Sequence, residues 1–329
     1  MHYLHRKATY RPVLFVLAFA LLVASCAEDG PINPAPGETA AELVLLTSLY
    51  NRVSDPDRCD PGILADAERQ KVLRYINEVR AAHGLSAVVY AAEHDEEAAA
   101  SALISAANDL LSHQPPTDLR CWTEAGFRGS GAGNLGWASR FDQQPEMAFS
   151  SEHMVDLWWT DDGTASVGHR RWMLNPFLTR IAFGRVDKAM TANESAVTAA
   201  TLWVINDEDA EPRSTPVTVD FVAYPFEQTP SRRFSAGTSE LSFTVIGDKT
   251  NVFGNQNINL SLANIRITDP SGNTLAVTDL RRLHDGSGVP NALVWRSPVE
   301  QGVRYDVVVT GISIDGEGKR YDYGFEVGG

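Results

Sequence analysis

Residues 166–176 read SVGHRRWMLNP: a histidine behind a glycine, two arginines behind the histidine, and an apolar run that closes on Asn-Pro. Taken alone, the stretch has a plain reading, a core histidine after a tight glycine turn. The chain beyond it is sheet-like. LTRIAFGRV (178–186) and AVTAATLWVI (196–205) alternate well enough to be two strands joined by a turn around Lys188 to Ser195.

Upstream, helical spacing dominates. From Thr39 to Val53, the apolar positions Leu43, Leu46, Leu49, Tyr50 and Val53 predict a leading helix. A second helix should start at Asp66 as N-cap, run through Val72, Ile76 and Val79, and end at Gly84. The alanine-rich stretch 91–112 carries the stripe Ala99, Leu103, Ala106 and Leu110, with His113 on the same stripe at the carbonyl end. A fourth helix is expected from Pro145, with Met147, Met154, Val155 and Trp158 on one face and Asp161 three residues beyond. An acid on that face needs a partner, because a buried polar group is costly without one. GSGAG (129–133) has no helix signal and reads as a flexible loop.

The acidic NDEDAEPRSTP (206–216) marks a boundary, beyond which helix signals vanish. ELSFTVI, INLSLANIRITD, NALVWRSP, VRYDVVVTGISI and YDYGFEV alternate between Gly/Asp/Asn turns, the pattern of an all-β immunoglobulin-like sandwich over 215–329. That stretch has no cysteine pair. At 329 residues the chain has enough sequence for two cores.

The first 25 residues read as an export signal: Arg6, Lys7 and Arg11 precede an apolar run from Val13 to Val23 that is too short to span a membrane. Val23-Ala24-Ser25-Cys26 resembles the lipobox of bacterial lipoproteins, which implies cleavage before Cys26 and lipidation of its thiol. Residues 26–40 would then be a solvated tether. Ala27, in place of Asp after the cysteine, points to the outer membrane where the cell has one. With Cys26 assigned to lipid, Cys59 and Cys121 are left to form one disulfide in an exported protein. The net charge is −14, and removal of the signal makes the chain three charges more negative. Such a surface repels nucleic acid, and no polybasic patch serves anionic lipid.

VLRYINEVRAAHGL (72–85), SHQPPTDLRCW (112–122), GNLGWA (133–138), MVDLWWTD (154–161) and GHRRWMLNPFLTRIAFGRV (168–186) occur in an order that resembles the CAP superfamily, the cysteine-rich secretory, antigen 5 and pathogenesis-related-1 proteins. The bacterial exported, SCP-like branch is the nearest in pattern. The resemblance spans roughly residues 60 to 205, within a CAP domain bounded at 41–210, and implies an α+β fold: an α-β-α sandwich around a small antiparallel sheet. It also implies a cleft with two histidines and two acids, holding a divalent metal in some members. His113 matches the first cleft histidine, His169 the second, and Asp161 the acid of the family's Trp-Tyr-x-Glu segment, one methylene shorter. The Gly-Glu-Asn-Leu motif reads Ala132-Gly133-Asn134-Leu135, which keeps Asn134 and replaces the second acid with Gly133.

Two imidazoles and one carboxylate suffice for Zn²⁺ with a water in the open position, so His113 and His169 are candidate ligands for Zn²⁺ or Ca²⁺. General acid/base chemistry would require Glu124 or Glu152 to swing into the place of the absent acid. Trp158, Trp159 and Trp172 read as core or cleft walls, and Arg170 and Arg171 as surface partners for an acidic domain. No HExxH, G-x-S-x-G elbow or phosphate loop is present. The expectation is therefore an exported, lipid-anchored CAP protein whose cleft binds a metal ion, lipid or peptide, with no catalysis established by the sequence. Its rivals are a metal-dependent hydrolase of peptide or cell-envelope material, and an adhesive protein that meets a protein partner through 215–329.

Overall fold

The second helical stripe folds where its spacing says it should. In the computed structural model, α1 spans Asp66–Ala82, with Val72, Ile76 and Val79 buried and Gly84 at positive φ just beyond. Asp66 is the first helical residue, not the cap; Ala65 holds that position without a side-chain bond. The structure describes residues 42–141, 144–189, 191, 195–206, 209 and 211–328. The signal, Cys26, the tether 26–40 and part of the turn between Lys188 and Ser195 lie outside the described residues.

The leading helix does not form. Residues 42–53 fold as β1 (Leu43–Leu45), one 3-10 turn and β2 (Tyr50–Arg52). Their backbone bonds go to distant chain: β1 pairs antiparallel with β6 (Met147–Phe149), and β2 with β3 (Ile63–Leu64). Pairing to a partner a hundred residues away outweighs local helical spacing. The same pairing delays the fourth helix, because 147–149 are spent on β6. Helix α4 is Ser151–Thr160, capped by Ser150 Oγ, which accepts from the His153 N–H at 3.1 Å.

A four-stranded sheet in the order β4-β7-β8-β5 forms the middle layer, from Val89–Tyr90, Arg180–Lys188, Ala196–Trp203 and Gly133–Arg140. Strands β7, β8 and β5 are antiparallel as expected, while the two-residue edge strand β4 runs parallel to β7. Helices α2 (Asp95–Asn108) and α3 (Glu124–Gly131) cover one face; α1, α4 and α5 (Gly168–Met173) cover the other. The glycine-rich GSGAG is thus partly helix, and its glycines explain how. A Cβ on Gly129 would stand 2.1 Å from Glu97 O and one on Gly126 2.6 Å from Ile104 Cδ1, so only glycine lets α3 lie this close on α2. Cys59 and Cys121 form the expected disulfide, tying the loop before β3 to the turn before α3.

Beneath β7 and β8 lies a buried polar network. The Arg185 guanidinium donates to both oxygens of Asp187 at 2.7 and 2.8 Å and to Ser151 Oγ at 3.2 Å. Tyr50 and Thr198 hydroxyls complete the carboxylate, each at 2.6 Å. This network fastens the N-terminal strands to the sheet.

The C-terminal half is a β-sandwich. One sheet orders β10-β17-β16-β12-β13 (Glu227–Pro230, Glu317–Gly328, Arg304–Ile314, Asn264–Thr268, Thr274–Leu275), the other β14-β15-β11-β9 (Thr278–Leu283, Ala292–Arg296, Leu241–Val245, Phe221–Tyr224). Alternation sets what each face meets. Leu241, Phe243 and Val245 point between the sheets, where Phe243 stacks on Tyr323 at 5.9 Å; Ser242 and Thr244 point the other way. That other face lies on the first half of the chain. His83 and Trp159 both stack on Tyr224, at 5.9 and 6.2 Å, and the hydrophobic core runs unbroken from one half into the other.

Among the described residues, no helix is long and apolar enough to cross a membrane.

Candidate functional site

Helix α4 ends where Asp161 turns into the left-handed region, φ 52°, its N–H still bonded to Leu157 O at 3.0 Å. An aspartate tolerates this conformation better than most residues. Its carboxylate is thereby aimed back at the start of α5 rather than out to solvent. One oxygen bonds His169 Nδ1 at 2.8 Å and accepts from the Thr164 hydroxyl at 2.6 Å; the other accepts the Arg170 backbone N–H at 3.1 Å. The partner expected for an acid on the core face is therefore His169, and both are buried. Because Asp161 accepts, the ring carries its proton on Nδ1. Burial alone would raise the Asp161 carboxyl, but the His169 charge and hydrogen bond, with Arg170 and Thr164, hold it below the ordinary carboxylate range.

Asn134 lies in the same cluster for a backbone reason: its Nδ2 donates to His169 O at 2.9 Å, fixing α5 against β5. Trp158 does similar work from α4, donating through Nε1 to Leu135 O at 2.9 Å. Trp158 and Trp159 are fully buried, as core residues should be.

His113 sits elsewhere in the layering. Helix α2 stops at Asn108 and Asp109 turns left-handed, so His113 is not on the helix at all but in the following turn. Its Nδ1 is bonded to Ser130 O at 2.8 Å, at the end of α3. The two histidines thus come from helical layers on opposite faces of the sheet, near the end where β5 begins. Next to His113, the hydroxyls of Ser130, Ser101 and Thr201 form a buried chain with links of 2.9 Å.

The absence of the second acid leaves no gap. A Cβ on Gly133 would stand 2.6 Å from Thr201 Cγ2 and 3.0 Å from Gly129 O, so the space is filled by a methyl and a backbone carbonyl. Neither glutamate substitutes. Glu152 pairs with Lys71 at 3.2 Å, and Glu124 sits in the first turn of α3 beside Arg128.

Arg170 and Arg171 are not surface residues. They are 0 % and 5 % exposed, and their guanidiniums bond backbone carbonyls across the boundary between the halves: Arg170 Nη2 to Glu240 O at 2.7 Å, Arg171 Nη2 to Val289 O at 3.0 Å. Arg171 also pairs with Asp285 at 2.8 Å, and Arg170 lies 4.5 Å above the Tyr224 ring. A charge is buried only where acceptors converge on it, and here carbonyls from chain 70 or more residues away join nearer ones, Trp159 O for Arg170 and Ser166 O for Arg171. Arg80, a residue without any sequence signal, plays a parallel part. Fully buried on α1, it donates to Met173 O and Asn175 O at 2.7 and 3.0 Å, and so clamps the chain leaving α5.

Among the described residues, no three His, Cys, Asp or Glu side chains stand close enough to share a metal ion. His169 Nδ1 and both Asp161 oxygens are already engaged, as is His113 Nδ1. Such bonds at Nδ1 leave Nε2 as the ring atom that could meet a ligand, but the described residues offer no third donor beside the histidines for the Zn²⁺ or Ca²⁺ implied by the resemblance. A small crevice lies where the residues of α5 meet the β-sandwich. It is lined by Arg170, Arg171, Asn175, Ser242 and Thr244 among others, and has room for about one water molecule.

Residues 73–206 match the model of the cysteine-rich secretory protein (CAP) family. No curated protein matches the chain.

Proposed function

We propose that this chain, which belongs to the CAP family through residues 73–206, is an exported, lipid-anchored binding protein that does no chemistry on its ligand. The observation that carries this reading is the pairing of a locked His169–Asp161 with a filled Gly133. One carboxylate serves one imidazole, and neither Glu124 nor Glu152 takes the place of the second acid. The ligand is a lipid or peptide of the cell envelope, met at the end of the sheet between His113 and His169. Export is supported by the signal-like residues 1–25 and by the Cys59–Cys121 disulfide, which suits an oxidising compartment. Anchoring is supported by the lipobox pattern before Cys26.

Two measurements test it. Metabolic labelling with palmitate should mark the wild-type chain in the membrane fraction, and Cys26→Ser should abolish the label; a labelled Cys26→Ser chain refutes the anchor. Envelope lipids and peptides should bind the wild type, more weakly His169→Ala, and be recovered unaltered. Turnover that disappears with His169→Ala would make the protein an enzyme instead.

A further inference from the structure

The β-sandwich holds the family's most specific segment, Gly168-His169-Arg170-Arg171, in place from outside. Val167, the residue that leads into α5, adopts φ 46°, ψ 44°. For a β-branched residue this is a disfavoured conformation, and such outliers persist only where the surroundings over-determine them. The surroundings here belong to the other half of the chain. Val167 is fully buried in a small cluster with Ala292 and Val294 of β15, with Leu283 packed against it. The next residues are pinned by the same half: Arg170 by Glu240 O and the Tyr224 ring, Arg171 by Val289 O and Asp285.

These pins connect directly to the site. The Arg170 backbone N–H donates to the Asp161 oxygen not bonded to His169, and Thr164, whose carbonyl accepts the Val167 N–H, bonds the oxygen that is. Displacing α5 would draw the Arg170 N–H off the carboxylate, and shifting Val167 would disturb the turn that holds Thr164 on it. We infer that the β-sandwich is a positioning element of the His169–Asp161 pair, with Arg170 and Val167 as the residues that transmit its hold, rather than an adhesive module attached to a self-sufficient CAP domain. The outer face of β9, β11 and β15 is consumed by this contact.

The inference rests on the reading that His169 and Asp161 belong to the ligand site, but it is tested with no ligand present, so either can fail alone. In the full chain, Tyr224→Leu and Val294→Ala remove boundary contacts without touching His169. Val307→Ala, in the opposite sheet and 1 % exposed, is the control for general destabilisation. Two readouts are followed: hydrogen exchange of residues 161–173, and ring-nitrogen shifts of His169, which distinguish its tautomers. Both boundary variants should exchange at least about tenfold faster in this segment and lose the single Nδ1–H tautomer. The control, matched in melting temperature, should keep both. If all three variants behave alike, or if the boundary variants leave tautomer and exchange unchanged, the inference is wrong. Should Tyr224→Leu not fold, Val294→Ala, a loss of two methyl groups, carries the same comparison.

Discussion

Acid titration of the boundary between the halves should reveal two opposed groups. His83, at the end of α1, stacks on Tyr224, bonds Val79 O at 2.8 Å, and is pushed down to about 4 by burial, with the Arg80 and Arg170 charges adding to it. Asp156 on α4 faces Tyr75, Arg232 and Arg233 and is pushed up to about 6, because burial outweighs the hydroxyl and the two guanidiniums. The signs differ. Below the ordinary histidine value the unfolded chain takes a proton that native His83 refuses, so stability is lost as pH falls toward 4. Between about 6 and the ordinary carboxylate value, native Asp156 keeps a proton that the unfolded chain releases, so stability is gained as pH falls. At roughly 1.4 kcal/mol for each tenfold change in proton affinity, each amounts to about 3 kcal/mol, and the two nearly cancel. His83→Phe removes one side of this balance. Urea unfolding of variant and wild type should show their stability difference moving by about 3 kcal/mol in favour of the variant between neutral pH and about pH 4. Parallel pH profiles would refute the assignment of His83 as a neutral, buried ring.

Gly133→Glu, which writes the family acid back into the motif, should lower stability by about 1–3 kcal/mol through overpacking against Thr201. It should confer no metal uptake, read by equilibrium dialysis against Zn²⁺. Replacing Cys59 and Cys121 by serine opens a closure of 62 residues, and the chain-entropy argument gives a loss of about 4 kcal/mol in chemical unfolding. Arg185→Met would leave Asp187, 3 % exposed, without its counter-ion; a drop of about 3–5 kcal/mol in urea unfolding is expected.

What the sequence determined by itself was local or patterned. Helix α1 and the body of α2 were legible because their apolar spacing is written within four residues. The strands β7, β8, β11, β12, β15, β16 and β17 were legible because alternation needs no partner to be seen, whereas β9, β10, β13 and β14 carried no such signal. The cleft candidates His169, Asp161 and Asn134 followed from the order of the family's motifs, and the structure brings these three together. The tertiary structure decided everything whose cause lies far along the chain. Leu43–Leu45 and Tyr50–Arg52 became strands because β6 and β3 offered backbone partners, and GSGAG became the end of α3 because α2 rewards close approach. Arg170 and Arg171 went inside because carbonyls of Glu240 and Val289 were there to receive them. Spacing records which face a residue presents; only the assembled fold supplies the acceptor, strand or methyl group that face must meet.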